Sequence, residues 1–181
     1  PSAIKVLAKY LTEHDVTQLS SIYAGERRNS IPANAVAIVR SENVIHSDGD
    51  VIVRALKEEP KVLKEGSKII TFLDVFQHGV HGMDEELNIP SMSINLAIVT
   101  SDEKGGIKIE ASARGMSAAE LEYMTAASVH LFEVYGFIVQ VEDKYPAWKP
   151  DVSAFTDLVS AAVKEVFGRT KMMAIHAGLE C

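Results

Sequence analysis

The stretch SINLAIVTSDEKGGIKIEASARGMSAAEL, residues 93–121, decides the fold. Residues 93–99 and 107–113 alternate apolar and polar side chains, the two-residue period of strands that bury one face. Lys104-Gly105-Gly106 lies between them, so the pair reads as a β-hairpin. Ser117, with Glu120 three residues on, is the capping-box pattern, and the helix it opens runs through Leu121, Met124, Ala127 and Leu131 until Gly136.

Upstream, Ile4, Leu7, Ala8 and Leu11 recur at helical spacing, which predicts a helix over residues 2–12 with Ser2 as N-cap. Residues 16–23 and 35–40 read as strands, separated by a turn around Asn29, Ser30 and Pro32. Asp48-Gly49, between Val44-Ile45 and Val51-Ile52-Val53, predicts a second hairpin. Pro60 is placed to open a helix carrying Leu63, Ile70, Leu73 and Phe76 on one face. Downstream, residues 137–141 read as a strand, and Tyr145-Pro146-Ala147-Trp148-Lys149-Pro150 as a hinge or domain boundary. Asp151 or Ser153 then caps a helix with Phe155, Leu158, Val159, Ala162, Val166 and Phe167, closed by Gly168, and residues 172–175 read as a short buried strand. The expected fold class is α+β: an antiparallel sheet with helices packed on one face, plus a C-terminal helix-strand piece.

The chain has 181 residues, 47% of them hydrophobic, with 11 Gly and 6 Pro, which excludes disordered and fibrous classes. Its apolar runs fall far short of the ~20 residues of a membrane span. Eighteen basic residues against 25 acidic give a net charge of -7, a poor match to nucleic acid or anionic lipid. The single cysteine, Cys181, fits a reducing compartment. Because the chain opens at Pro1 directly into helical periodicity and stops without a polar tail, we expect a piece of a longer protein, and a missing signal peptide then carries no weight.

Two groupings resemble metal chemistry. His46-Ser47-Asp48 and Asp84-Glu85-Glu86 have the residue types of a zinc site, but Asp48-Gly49 already has a role as a turn. His78 and His81 near Asp84 lack a third well-spaced ligand and read as a surface loop. Arg28-Asn29 in a tight turn and Arg114 at a strand end are better placed: guanidinium grips a carboxylate with paired bonds, and an amide donates to a carbonyl oxygen. Surface ion pairs and turn bonds are the competing explanation for both.

Taken together, Arg28-Asn29-Ser30-Ile31-Pro32, Tyr145-Pro146-Ala147-Trp148-Lys149-Pro150-Asp151 and His176-Ala177-Gly178-Leu179-Glu180-Cys181 resemble three blocks of the aminoacyl-histidine dipeptidases, also called Xaa-His or cytosol non-specific dipeptidases, of the di-zinc peptidase superfamily. Ser93-Ile94-Asn95-Leu96 and the arginine at a strand end follow in the family's order. The likeness is loosest over residues 42–68, where family members carry a longer helical crossover.

The resemblance implies a lid domain over residues 1–144, with residues 145–181 forming the hinge and the start of the return into a catalytic domain. It implies that the parent enzyme is a cytoplasmic metallodipeptidase holding two zinc ions. None of the metal-ligand segments falls in this chain, which alone is expected to bind no zinc and to be inactive. Asn29 and Arg114 match positions that contact bound peptide, near the scissile carbonyl and at the C-terminal carboxylate respectively. His176, Gly178 and Glu180 match a block at the cleft floor. The implied partners are a dipeptide substrate, the rest of the catalytic domain and a second copy joined through the lid, with no nucleic acid and no membrane. The alternative is a stand-alone α+β dimerisation or binding module, which would bury the segment from residue 151 onward.

Overall fold

The computed structural model describes residues 1–174. It contains α1 (Ala3–Glu13), β1 (Gln18–Ala24), β2 (Ala35–Arg40), α2 (Gly66–Val75), β3 (Gly79–Asp84), β4 (Ile89–Ser101), β5 (Ile107–Gly115), α3 (Ala118–Val134) and α4 (Ala154–Phe167). The strands form one five-stranded antiparallel sheet, so the class is α+β as the periodicities predict. None of the helices of the described residues is long and apolar enough to cross a membrane.

The long strand β4 organises the sheet. Along one edge, β5 pairs with it from Met92 to Ser101. Along the other, β3 takes residues 89–94 and β1 takes only Val99 and Thr100, with β2 outside β1. Residues 95–98 of that second edge therefore face a break between two strands.

One face of the sheet carries the core. Ile4, Ala8 and Leu11 of α1, Ile69, Phe72 and Leu73 of α2, and Met124 of α3 pack against Leu19, Ile22, Ile94, Leu96 and Val99. Phe72 is fully buried and packs in tilted or edge-on contact with Phe76, Phe132, Tyr135 and Phe137 at centroid distances of 4.7–5.4 Å. Two polar ties lock the helices. Lys5 Nζ donates to the carbonyls of Leu73, Asp74 and Phe76, satisfying the C-terminal end of α2, and Ala3 N donates to Pro32 O at 2.9 Å. The capping box of α3 forms as its sequence predicts: Glu120 N donates to Ser117 Oγ at 3.2 Å, and Ser117 N to Glu120 Oε2 at 2.9 Å.

Several expectations need correction. The Asp48-Gly49 turn forms, with Asp48 and Val51 exchanging backbone bonds of 3.0 and 2.9 Å, but its flanks make no strands. Ser47 Oγ accepts the Val53 N–H, and although Ile45, Val51 and Val53 pack against the core while Val44 and Ile52 are exposed, no ladder holds the flanks straight. The helix expected from Pro60 starts at Gly66, because Leu63 N donates to Leu19 O at 2.7 Å and holds the approach to β1. A Cβ on Gly66 would lie 2.7 Å from Leu19 N, so a residue that looks weak in a helix is what permits this contact. Residues 137–141 are not a strand: Phe137 turns into the aromatic cluster and Ile138 is exposed. Residues 172–174 form no strand either, and Met172 and Met173 are exposed. Conversely, β3 lies where a surface loop is expected around His78 and His81.

Gly25, at φ +76°, sits where the chain leaves β1 and lies against β4 so closely that a Cβ would fall 1.8 Å from Ala97 O. Gly25→Ala is therefore expected to cost about 3 kcal/mol or more in urea unfolding, from strain and clash together. Gly49→Ala, at a similar φ but in open space, should cost clearly less. Equal losses would mean that the close approach contributes nothing.

Candidate functional site

Alternation along β4 and β5 decides which side chains leave the core. Ile94 and Leu96 are buried among the helices, so Ser93 and Asn95 between them point to the opposite face, away from the core that α1, α2 and α3 cover among the described residues. Directly opposed residues in an antiparallel pair share a face. Arg114, opposite Ser93, and Ser112, opposite Asn95, therefore join them, and Glu110 follows along β5.

The turn after β1 comes down onto this face. Asn95 Nδ2 donates to Ser30 O at 2.8 Å and to Arg28 O at 3.2 Å, so the backbone on both sides of Asn29 is held by β4. Asn29 itself is exposed. Asn95 and Ser93 are same-face neighbours, about 7 Å apart by strand geometry. Asn29 and Arg114, far apart in sequence, are thereby brought to one end of one surface. Arg114 is half-buried and engaged.

Arg28 proves to be a cross-link, in keeping with the ion-pair explanation. Its Nε donates to Glu110 Oε2 and its guanidinium to Asp143 Oδ2, each at 2.5 Å, with Glu142 at 3.9 Å. Glu110 also receives Lys108 Nζ at 2.6 Å. Hydrogen bonds from Lys108, then Arg28, hold the Glu110 carboxyl below its ordinary pKa despite opposing desolvation. A second pair, Lys149 Nζ to Asp84 Oδ2 at 2.8 Å, ties the Tyr145–Pro150 block to the β3–β4 turn. The Lys149 bond and the Leu87 N–H hold the Asp84 carboxyl low. Residues 143 and 149 are thus each fastened to the sheet or the turn that lies on it.

The metal-like groupings dissolve. Among the described residues no three His, Cys, Asp or Glu side chains converge to hold a metal ion. Asp48 is in its turn and Asp84 is committed to Lys149 and Leu87. His78 Nδ1 accepts the Leu96 N–H at 3.1 Å, filling part of the break along β4. His176, Gly178 and Glu180 lie outside the described residues. Sequence reasoning missed the parts played by Asn95 and His78; Asn95 was marked only by its carboxamide and its place in the Ser93-Ile94-Asn95-Leu96 block, neither of which gives it a partner.

No family model matches the sequence, and no curated protein sequence matches it. The fold does have a match, the crystal structure of an aminoacylhistidine dipeptidase from Vibrio alginolyticus. It superposes with a TM-score of 0.70 over 99% of this chain and 42% of that one, at 16% identity. At that identity the shared property is the fold. This chain spans less than half the length of that protein.

His78 gives a pH signature. Burial first, then the charges of Lys5 and His81, push its pKa below the ordinary value of 6.5. A depressed histidine contributes stability that is present above pH 6.5 and is lost as pH falls through the folded-state value. Unfolding free energy should therefore drop between pH 7.5 and 5.5, and His78→Asn, which keeps a short acceptor without the titration, should flatten that part of the curve. An unchanged slope would rule out this assignment.

Proposed function

We propose that this chain is the substrate-covering part of a dipeptidase that hydrolyses Xaa-His and other dipeptides, with residues 1–144 as lid and 145–181 as hinge and return into the catalytic domain. The observation that carries this reading is the placing of the Asn29 turn and Arg114 on one face of the sheet, the face opposite the helix-packed core of the described residues. Support comes from the fold match over 99% of the chain and from the order of the sequence blocks.

In this reading Arg114 takes the C-terminal carboxylate of the dipeptide with paired bonds, and the Asn29 amide donates to the carbonyl oxygen at the bond to be broken. Closure of the lid brings both groups to the substrate and excludes water. On this reading the zinc ions of the parent enzyme belong to its catalytic domain, and this chain has the part of holding and covering substrate. The chain alone is then inactive.

Two further features fit. Helix α4 has no buried residue, and Phe155, Leu158, Val166 and Phe167 are each at least 66% exposed. An apolar helix face of this extent is a surface for a partner, and the proposed partner is the rest of the catalytic domain. A self-contained module would bury it. Strand β5 pairs only with β4 among the described residues, leaving an edge through which two lids can associate in the homodimer the resemblance implies. The cytoplasm is the compartment proposed for the parent enzyme.

Arg114→Ala in the parent protein is expected to raise KM for dipeptides with a free C-terminus by about 10-fold to 100-fold, the worth of a charge-assisted pair, with a smaller change in kcat. C-terminally amidated dipeptides, already lacking the carboxylate, should be cleaved by wild type and variant alike. Equal loss on both substrates would remove Arg114 from carboxylate binding.

A further inference from the structure

We propose that Asn95 is a positioning residue for Asn29, acting through the two carbonyls that flank it. The inference rests on the reading of Asn29 as a substrate contact, and it concerns a residue to which neither the fold match nor the sequence resemblance gives a role.

The geometry is specific to a carboxamide. One NH2 group places its two hydrogens on two acceptors, Ser30 O at 2.8 Å and Arg28 O at 3.2 Å. Those acceptors belong to the residues immediately before and after Asn29, so the two bonds fix the backbone on both sides of it. Aspartate offers no donor, serine only one, and leucine none. The support is also rigid: Asn95 lies in β4, bonded along one edge to β5 from Met92 to Ser101.

The arrangement carries a cost. Asn95 Oδ1 is buried and has no hydrogen-bond partner, so the residue is poorly chosen if its purpose is only to fill the sheet. What the carboxamide supplies in return is a defined place for residue 29, an exposed side chain on a turn that Gly25 lets approach the sheet. A binding group on a turn is effective only when held by a second layer of contacts. Arg28, gripped by Glu110 and Asp143, holds the same turn from its outer side.

The test is a double-mutant cycle in the full parent protein, with kcat and KM measured on an Xaa-His dipeptide for Asn29→Ala, Asn95→Leu and the pair. Each single change is expected to lower kcat by about tenfold or more, and the pair to be no worse than about twofold below Asn29→Ala alone. Asn95→Leu combined with Arg114→Ala should instead multiply, with the Arg114 share in KM. If Asn95→Leu does not fold, Asn95→Ser, which keeps one donor, takes its place with a smaller loss and the same non-additivity. Two results overturn the proposal while leaving Asn29 as a substrate contact: losses at 29 and 95 that multiply, or an Asn95 variant within about twofold of wild type while Asn29→Ala is impaired. If Asn29→Ala itself leaves kcat and KM unchanged, the reading of Asn29 fails, and this inference falls with it.

Discussion

The edge of β4 between Asn95 and Ile98 is the constraint on which the rest of the structure depends. β1 has left it after Val99 and β3 joins it only at Ile94, yet its backbone groups lie next to the core and must be satisfied. The chain closes the break with unlike parts. The His78 ring accepts the Leu96 N–H, Gly25 packs on Ala97, and the turn after Gly25 drops far enough for Asn95 to take two of its carbonyls. A continuous strand here would leave no turn at this place and no means of presenting Asn29 beside the row that ends in Arg114. The interruption in the sheet is what creates the candidate site.

Charge then fixes what the break has placed. Arg28 draws Glu110 of β5 and Asp143 of the segment after α3 toward the same turn, and Lys149 joins that segment to Asp84 at the other end of β4. Ion pairs whose cation is open to solvent, as Arg28 and Lys149 are, are each weak. Their value here is geometric, because they set where the chain crosses the sheet before α4 begins. On the opposite face Phe72 and its ring neighbours give stability through apolar burial, and Lys5 ties α1 to the end of α2.

Much of the fold was legible in the sequence, and the failures share a cause. Local rules suffice for α1, β2, the β4–β5 hairpin and the capping box of α3, since each is specified by neighbours a few residues apart. β3, with Gly79 and Gly82 and no alternation, is held by backbone pairing to β4, which no periodicity announces. The Asp48-Gly49 turn misled in the opposite direction, because a turn fixes two chain directions but supplies no ladder to the flanks, whose Ile45, Val51 and Val53 pack on the core without strand pairing. At the site, residue chemistry picks out Arg28, Asn29 and Arg114 as a group. It could not divide them: that Arg28 is spent on Glu110 and Asp143, and that Asn95 reaches back 65 residues to Ser30, are facts of tertiary contact.

The most direct test of the account is a crystal structure of the full parent protein with a non-hydrolysable phosphinate analogue of a dipeptide. The account predicts that the analogue lies against the face of the sheet opposite the helix-packed core, its C-terminal carboxylate bonded to Arg114 and Asn29 within hydrogen-bond reach of the phosphinate. A ligand bound with that face remote from it, or with the carboxylate held by other residues, would contradict the account.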